Sequence, residues 1–331
     1  MHINRLLLLF TVLGCISSCH AQESGQQLLK LQKEITLANV RGRIDHIDIN
    51  LQEQVAYIAA LGNNTLEVVD LKNGKVTGSI AGLDEPQGVA YIARHGEILI
   101  ANGGTGECGF YNASTLKKTG SLKLPDDADD VRYNADEDKI YVGYGSGGIA
   151  IIDAATHQKV GDIKLPAHPE SFQLDTKENK LWVNLPGSGN IGVADLKQFK
   201  LTAKWSKLLP RANFPMAYDK AQHRIIVGYR VPAKLIVYDS ETGKEIFSGP
   251  TVGDVDDLYW DAKNKHIFIS GGGGAVDIFK QEGNTAYKRI SHIITRNGAR
   301  TSLLVPELGL FLIAARETRG QKATLLVYQL H

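Results

Sequence analysis

The sequence predicts an all-β fold: a seven-bladed β-propeller of four-stranded antiparallel blades, its ring closed by an N-terminal strand in the last blade. Three observations predict it. A unit of about 42 residues recurs seven times along the chain. Each unit holds four short apolar, β-rich runs separated by Gly-, Pro- or charge-bearing turns. The last unit lacks one run, and a run of the missing kind stands near the N-terminus.

The elements follow in order. Each unit opens with a short apolar run, strand a: "HIDI", "GVAY", "DVRY", "SFQL", "PMAY", "DLYW" and "TSLL". Strands b and c follow as a hairpin, as in "QVAYIAALGNNTLEVVDLKNGKV" (54–76) and "HRIIVGYRVPAKLIVYDSETGKEI" (223–246). A polar turn then leads to strand d. The Asp that ends strand c (Asp70, Asp153, Asp195, Asp239) is an Asx-type turn former. The last copy stops after strand c, at His331. "LLKLQKEITL" (28–37) has the character of a strand d and is expected to pair with the C-terminal strand. Without it the ring would present an unpaired edge, ready to pair with another chain.

Composition narrows the class. The 331 residues carry 37 basic and 36 acidic side chains, with a pI of 7.7. Nucleic-acid binders carry clustered Lys/Arg and a much higher pI, so no nucleic-acid partner is expected. "MHINRLLLLFTVLGCISSCHAQ" has a positive start at Arg5 and an apolar stretch too short to span a bilayer. It reads as an export signal over 1–21, ahead of a single propeller domain over 22–331. Two cleavage readings compete. "ISSC" resembles a bacterial lipobox with Cys19 as the lipidated residue, and "CHA" before Gln22 resembles an ordinary cleavage site. The lipobox is favoured, which places the protein in the periplasm or on the cell surface, held by acyl chains alone. Cys108 is then the only thiol of the folded body, in a hairpin, with no disulfide framework. A monomer is expected.

"KIYVGYGSGGIAIIDAATHQKV" resembles the YVTN-type repeat of the YncE-like seven-bladed propellers, which are exported bacterial proteins. The likeness covers 28–331. It implies the fold and export and assigns no reaction. Virginiamycin B lyase and the lactonase propellers are similar in architecture, but their catalytic sets find no residue-by-residue match. The "GH…WD" signature of WD40 repeats is absent.

Candidate site residues come from the loops between strand d of one blade and strand a of the next. These loops and the b-to-c turns emerge on one face, around the mouth of the central channel. "LPDDADDVRY" (124–133) is such a loop, with aspartates at 126, 127, 129 and 130. Aligning the blades there gives a ring of Asp45, Gln87, Asp129, Glu170, Phe214, Asp256 and Arg300. The next position gives His46, Gly88, Asp130, Ser171, Pro215, Asp257 and Thr301. Three readings remain open. One divalent metal ion could be held by Asp45, Asp129, Glu170 and Asp256, with His46 near; oxygen ligands suit Ca²⁺, Mg²⁺ or Mn²⁺, and a His admits Zn²⁺ or Fe²⁺. A cationic or hydroxyl-rich small ligand could fill the ring, rimmed by Asn63, Tyr144, Tyr229 and Arg230. Or Arg300 pairs with both Asp256 and Asp45, and the ring is structural.

The function expected is a binding protein or interaction scaffold, for a small ligand or an envelope protein partner. The alternative is a metal-assisted lyase or lactonase-type hydrolase acting on sugar acids or glycosides. In it His46, beside Asp45, serves as a base tuned toward neutral pH, and Arg300 or Arg230 holds a carboxylate. His168 also falls on the mouth face, while His95, His157 and His223 fall in turns of the opposite face and read as solvated. "GTGECG" (104–109) matches G-x-G-x-x-G, but a strand rather than a helix follows it, so it reads as a hairpin turn.

Overall fold

Strands b and c read as nearly unbroken apolar runs because both of their faces must be covered. The computed structural model, which describes residues 28–331, covers them with the neighbouring blades. Lys139–Tyr144 and Gly148–Asp153 are buried along almost their whole length, whereas the outer strand Lys159–Lys164 is largely open to solvent. The described residues form seven four-stranded antiparallel sheets. Six are continuous in sequence, at 47–81, 86–123, 128–164, 172–206, 211–250 and 255–294. We call them blades 1 to 6.

The seventh blade closes the ring as expected. Strand Leu29–Thr36 lies outermost and pairs antiparallel with Thr324–Leu330, from Leu29 opposite Leu330 to Thr36 opposite Thr324, with one bulge between Leu31 and Lys33. Its inward residues serve two different interfaces. Leu29 packs with Phe311, Tyr328 and Phe268, toward blade 6. Ile35 packs with Leu312, Leu325 and Ile58, toward blade 1.

Polar side chains on the innermost strands tie successive blades together. Asp48 accepts from the Tyr91 amide at 2.6 Å, and Arg132 donates to Ser171 Oγ at 3.2 Å. Gln173 donates to the Met216 carbonyl at 2.8 Å, and Tyr259 to the Ser302 carbonyl at 2.6 Å. Each contact spans one repeat, so the channel wall is a chain of latches.

The c-to-d turns form as expected: Asp70, Asp153, Asp195 and Asp239 each accept from backbone amides two or three residues on. The same device, unforeseen in the sequence, closes the a-to-b turns at Asn50, Asn134, Asp175, Asp219 and Asp261. Two histidines of the opposite face are not solvated. His95 bonds Asp138 at 2.9 Å. His157 bonds Glu97 at 2.8 Å and stacks on Phe110 at 3.6 Å between ring centroids. Both join blade 2 to blade 3. "GTGECG" (104–109) runs from the hairpin turn after Glu97–Asn102 into the strand Glu107–Asn112, with no helix following. Cys108 is buried there, and burial pushes its thiol up to about 12.

The export signal, Cys19 and the start of the 22–331 domain lie outside the described residues. Among those described, no helix is long and apolar enough to cross a membrane.

Candidate functional site at the channel mouth

The d-to-a loops bring the whole aligned ring together. Asp45, Gln87, Asp129, Glu170, Phe214, Asp256 and Arg300 all line one cavity of about 260 Å³. Arg43, Asp127, His168 and Arg230 complete it, and His46, Asp130 and Ser171 form its floor. The backbone explains the convergence. A β-bulge between Ala128 and Val131 turns the consecutive aspartates of the third blade in different directions. Asp127 accepts from Gln87 at 3.0 Å. Asp129 faces the mouth, and Asp130 faces the channel, paired with Arg132. Gly88 makes room for this loop: a Cβ there would lie 1.9 Å from the Asp129 carbonyl oxygen.

Asp129 sits between two imidazoles. Nε2 of His46 is 3.6 Å from its Oδ1, and Nε2 of His168 is 3.7 Å from its Oδ2. Asp129 is only 8% exposed, yet Oδ1 has no hydrogen-bond partner. Burial works against its charge, but the flanking imidazoles win and hold the carboxyl well below its usual range. Burial likewise opposes the charge on His168, but Asp129 outweighs it, and the imidazole rises to about 9. His168 Nδ1 lies 2.7 Å from the Gly145 carbonyl, which fixes the ring.

His46 behaves in the same way. Burial lowers it, but Asp129, Asp130 and Asp45 together hold it well above the ordinary histidine range. The carboxylates expected to tune it therefore favour its charged form.

Glu170 has the opposite problem. Burial, followed by the Asp129 charge, raises it to about 8. Asp45 rises to about 6, chiefly through burial, although Arg43 pairs with it at 3.1 Å. The expected double pairing of Arg300 is half realised. Its Nε meets Asp256 at 2.9 Å, while Asp45 takes Arg43 instead. Arg230 also pairs with Asp256, and stacks on Phe214 at 3.5 Å. Both arginines reach Asp254, at 3.4 and 3.3 Å. That residue was not singled out in the sequence. Its place depends on Gly272, where a Cβ would lie 2.0 Å from Asp254 Oδ2.

The sites therefore divide. Asp129, His168 and Glu170 offer ligand atoms all within 4.8 Å of one another. Asp256 is instead bound into an arginine cluster, and Asp257 accepts from the Ser302 amide at 2.6 Å. Of the b-to-c residues expected on the rim, only Arg230 lines the cavity. Tyr144 bonds Asp162 at 2.9 Å, Tyr229 bonds Tyr238 at 2.7 Å in the core, and Asn63 bonds Thr65 at 2.9 Å.

No protein-family model matches the chain, and no curated protein matches it in sequence. Solved structures match it in shape. A chain of the mitotic checkpoint complex superposes with a TM-score of 0.79 at 13% identity, covering 99% of this chain and 100% of that one. A chain of Kuenenia stuttgartiensis hydrazine synthase superposes with a TM-score of 0.73 at 16% identity, covering 89% and 98%. At such identities the likeness is one of fold. The protein is a seven-bladed β-propeller, a fold that by itself assigns no reaction.

Proposed function

We propose that this protein is an exported, lipid-anchored propeller of the YncE-like kind. It serves as a binding protein whose mouth holds one divalent transition-metal ion, with Asp129, His168 and Glu170 as ligands. One observation carries this reading: Asp129 Oδ1 is enclosed and accepts no hydrogen bond, within a cluster whose ligand atoms lie within 4.8 Å of one another. A buried carboxylate oxygen without a partner is costly, and a cation offsets that cost. An imidazole beside two carboxylates favours Zn²⁺, Fe²⁺ or Mn²⁺ over Ca²⁺. His46 supports the cluster from beside Asp129. Arg230 and Arg300, at the rim, suit a ligand that carries a carboxylate. Ligation must displace the protons held by His168 and Glu170, so affinity should rise with pH. In the alternative lyase or lactonase-type role, His46 would donate a proton rather than accept one.

Elemental mass spectrometry of the tag-free mature protein tests this. The expected result is one divalent ion per chain, lost in Asp129→Asn and His168→Gln and kept in Asp256→Asn. A chain that takes up no Zn²⁺, Fe²⁺ or Mn²⁺ at pH 8 would refute it. A Cys19→Ala variant should leave the membrane fraction on cell fractionation; retention there would refute the anchor.

A further inference from the structure

Charge is divided unevenly over the loops of the mouth face. Loops 82–85 and 124–127, on either side of blade 2, carry Asp84, Glu85, Asp126 and Asp127 and no basic residue. Loops 37–43 and 295–300, on either side of the seventh blade, carry Arg41, Arg43, Arg296 and Arg300 and no acidic residue. The b-to-c turn of the seventh blade, between Leu310–Ala315 and Thr324–Leu330, adds Arg316, Arg319 and Lys322. Thr318 and Gln321 exchange two backbone hydrogen bonds of 3.0 Å there, which makes the turn a small stiff prong.

Part of this charge is committed within the chain: Arg43 pairs with Asp45, Arg296 with Glu34 and Arg300 with Asp256. The rest is not. Asp84, Glu85 and Asp126 on one side, and Arg41, Arg316, Arg319 and Lys322 on the other, are exposed and enter no ion pair among the described residues. The same face also exposes apolar side chains. Leu208 and Leu209, 78% and 58% exposed, stand in the loop from blade 4 to blade 5.

We propose that the mouth face docks on a second copy of this chain as an isologous dimer, a departure from the monomer expected of the sequence. One twofold axis satisfies every feature. Laid across the face through blade 1, it passes on the far side of a seven-membered ring between blades 4 and 5. It exchanges the seventh blade with blade 2, loop 295–300 with loop 124–127, and loop 37–43 with loop 82–85. Basic elements of each copy then meet acidic elements of the other, twice over. The prong falls on the b-to-c turn 103–106 of the partner, where three of four residues are glycine and leave it room. Asp84 lies over that turn: a Cβ at Gly104 would stand 2.6 Å from its carboxyl carbon. Loop 207–210 sits on the axis, so Leu208 and Leu209 bury their apolar surface against their own copies. An anionic membrane would attract only the basic half and repel the acidic one, whereas a second copy answers both. In the dimer the two mouths open onto each other.

Sedimentation velocity of the mature chain 22–331, made without acyl chains so that the anchor plays no part, tests this. About 50 µM protein in about 50 mM salt should sediment as a dimer, and about 500 mM salt should weaken it ten-fold or more by screening the pairs. Leu208→Ser/Leu209→Ser should weaken it about ten-fold. Arg316→Glu/Arg319→Glu reverses the basic half, and Asp84→Lys/Glu85→Lys reverses the acidic half. Each variant should be monomeric alone, and an equimolar mixture of the two should dimerise. Asp129→Asn should dimerise like the parent, which keeps this test apart from that of the metal centre. A monomeric parent would overturn the proposal, as would a dimer that survives both charge variants, a mixture that stays monomeric, or association lost in Asp129→Asn. So would a parent that binds phosphatidylglycerol vesicles in preference to its own copy.

Discussion

Replacing Leu29 and Ile35 together by alanine removes the apolar anchors of the closing strand without deleting its backbone. Leu29 is 0% exposed and Ile35 2%. Truncating a buried Leu or Ile to Ala costs about 2–5 kcal/mol through lost transfer energy and the cavity left behind. The two side chains lie in different clusters, one toward blade 6 and one toward blade 1, so their costs should add to roughly 6 kcal/mol. That is a large share of a typical stability of about 5–15 kcal/mol. Leu31 lies on the same strand but is 42% exposed, so Leu31→Ala should cost less than about 1 kcal/mol. Urea unfolding followed by tryptophan fluorescence reads these differences. Trp182, Trp205 and Trp260 all lie outside the last blade, so the signal reports the ring rather than the local strand. A shared slope with a shifted midpoint would mean that the folded ring itself has lost stability. The reasoning fails if the double variant stays within about 1 kcal/mol of the parent, or if Leu31→Ala costs as much as Ile35→Ala.

Two further outcomes are expected. Burial pushes Asp257 up from 3.8 to about 7, so the folded state prefers its protonated form. The stability it contributes is fully present below pH 3.8 and is lost as pH rises through about 7. Asp257→Asn should therefore gain on the parent between pH 4.5 and pH 8 in urea midpoints; a variant that loses ground over that interval would reverse the assignment. Gly88→Ala should destabilise by about 1–3 kcal/mol, because the clash is with backbone and cannot be relieved by rotating a side chain. It should also lower metal occupancy, since Asp129 must move; full occupancy with parent stability would show that the close approach does not position the carboxylate.

The repeat made the architecture legible. Apolar runs at fixed spacing can be buried only by stacking identical units, so the seven blades follow, as does the need for Leu29–Thr36 at the closing edge. Membership of the mouth ring was legible for the same reason: equivalent positions in each repeat arrive at the same radius. The partners of those positions were not. Asp129 and Asp256 occupy like places in the repeat, yet one lies between two imidazoles and the other binds two arginines. His168 was legible as a histidine of the mouth face, but its place beside Asp129 was not. Asp254 and the Gly272 that admits it carry no such signal. Position along the repeat is written in the order of residues. Distance across the channel depends on how seven loops of different length and bulge meet, and that is decided only when the ring closes. It is this closure that turns a row of acids into a centre of mixed charge.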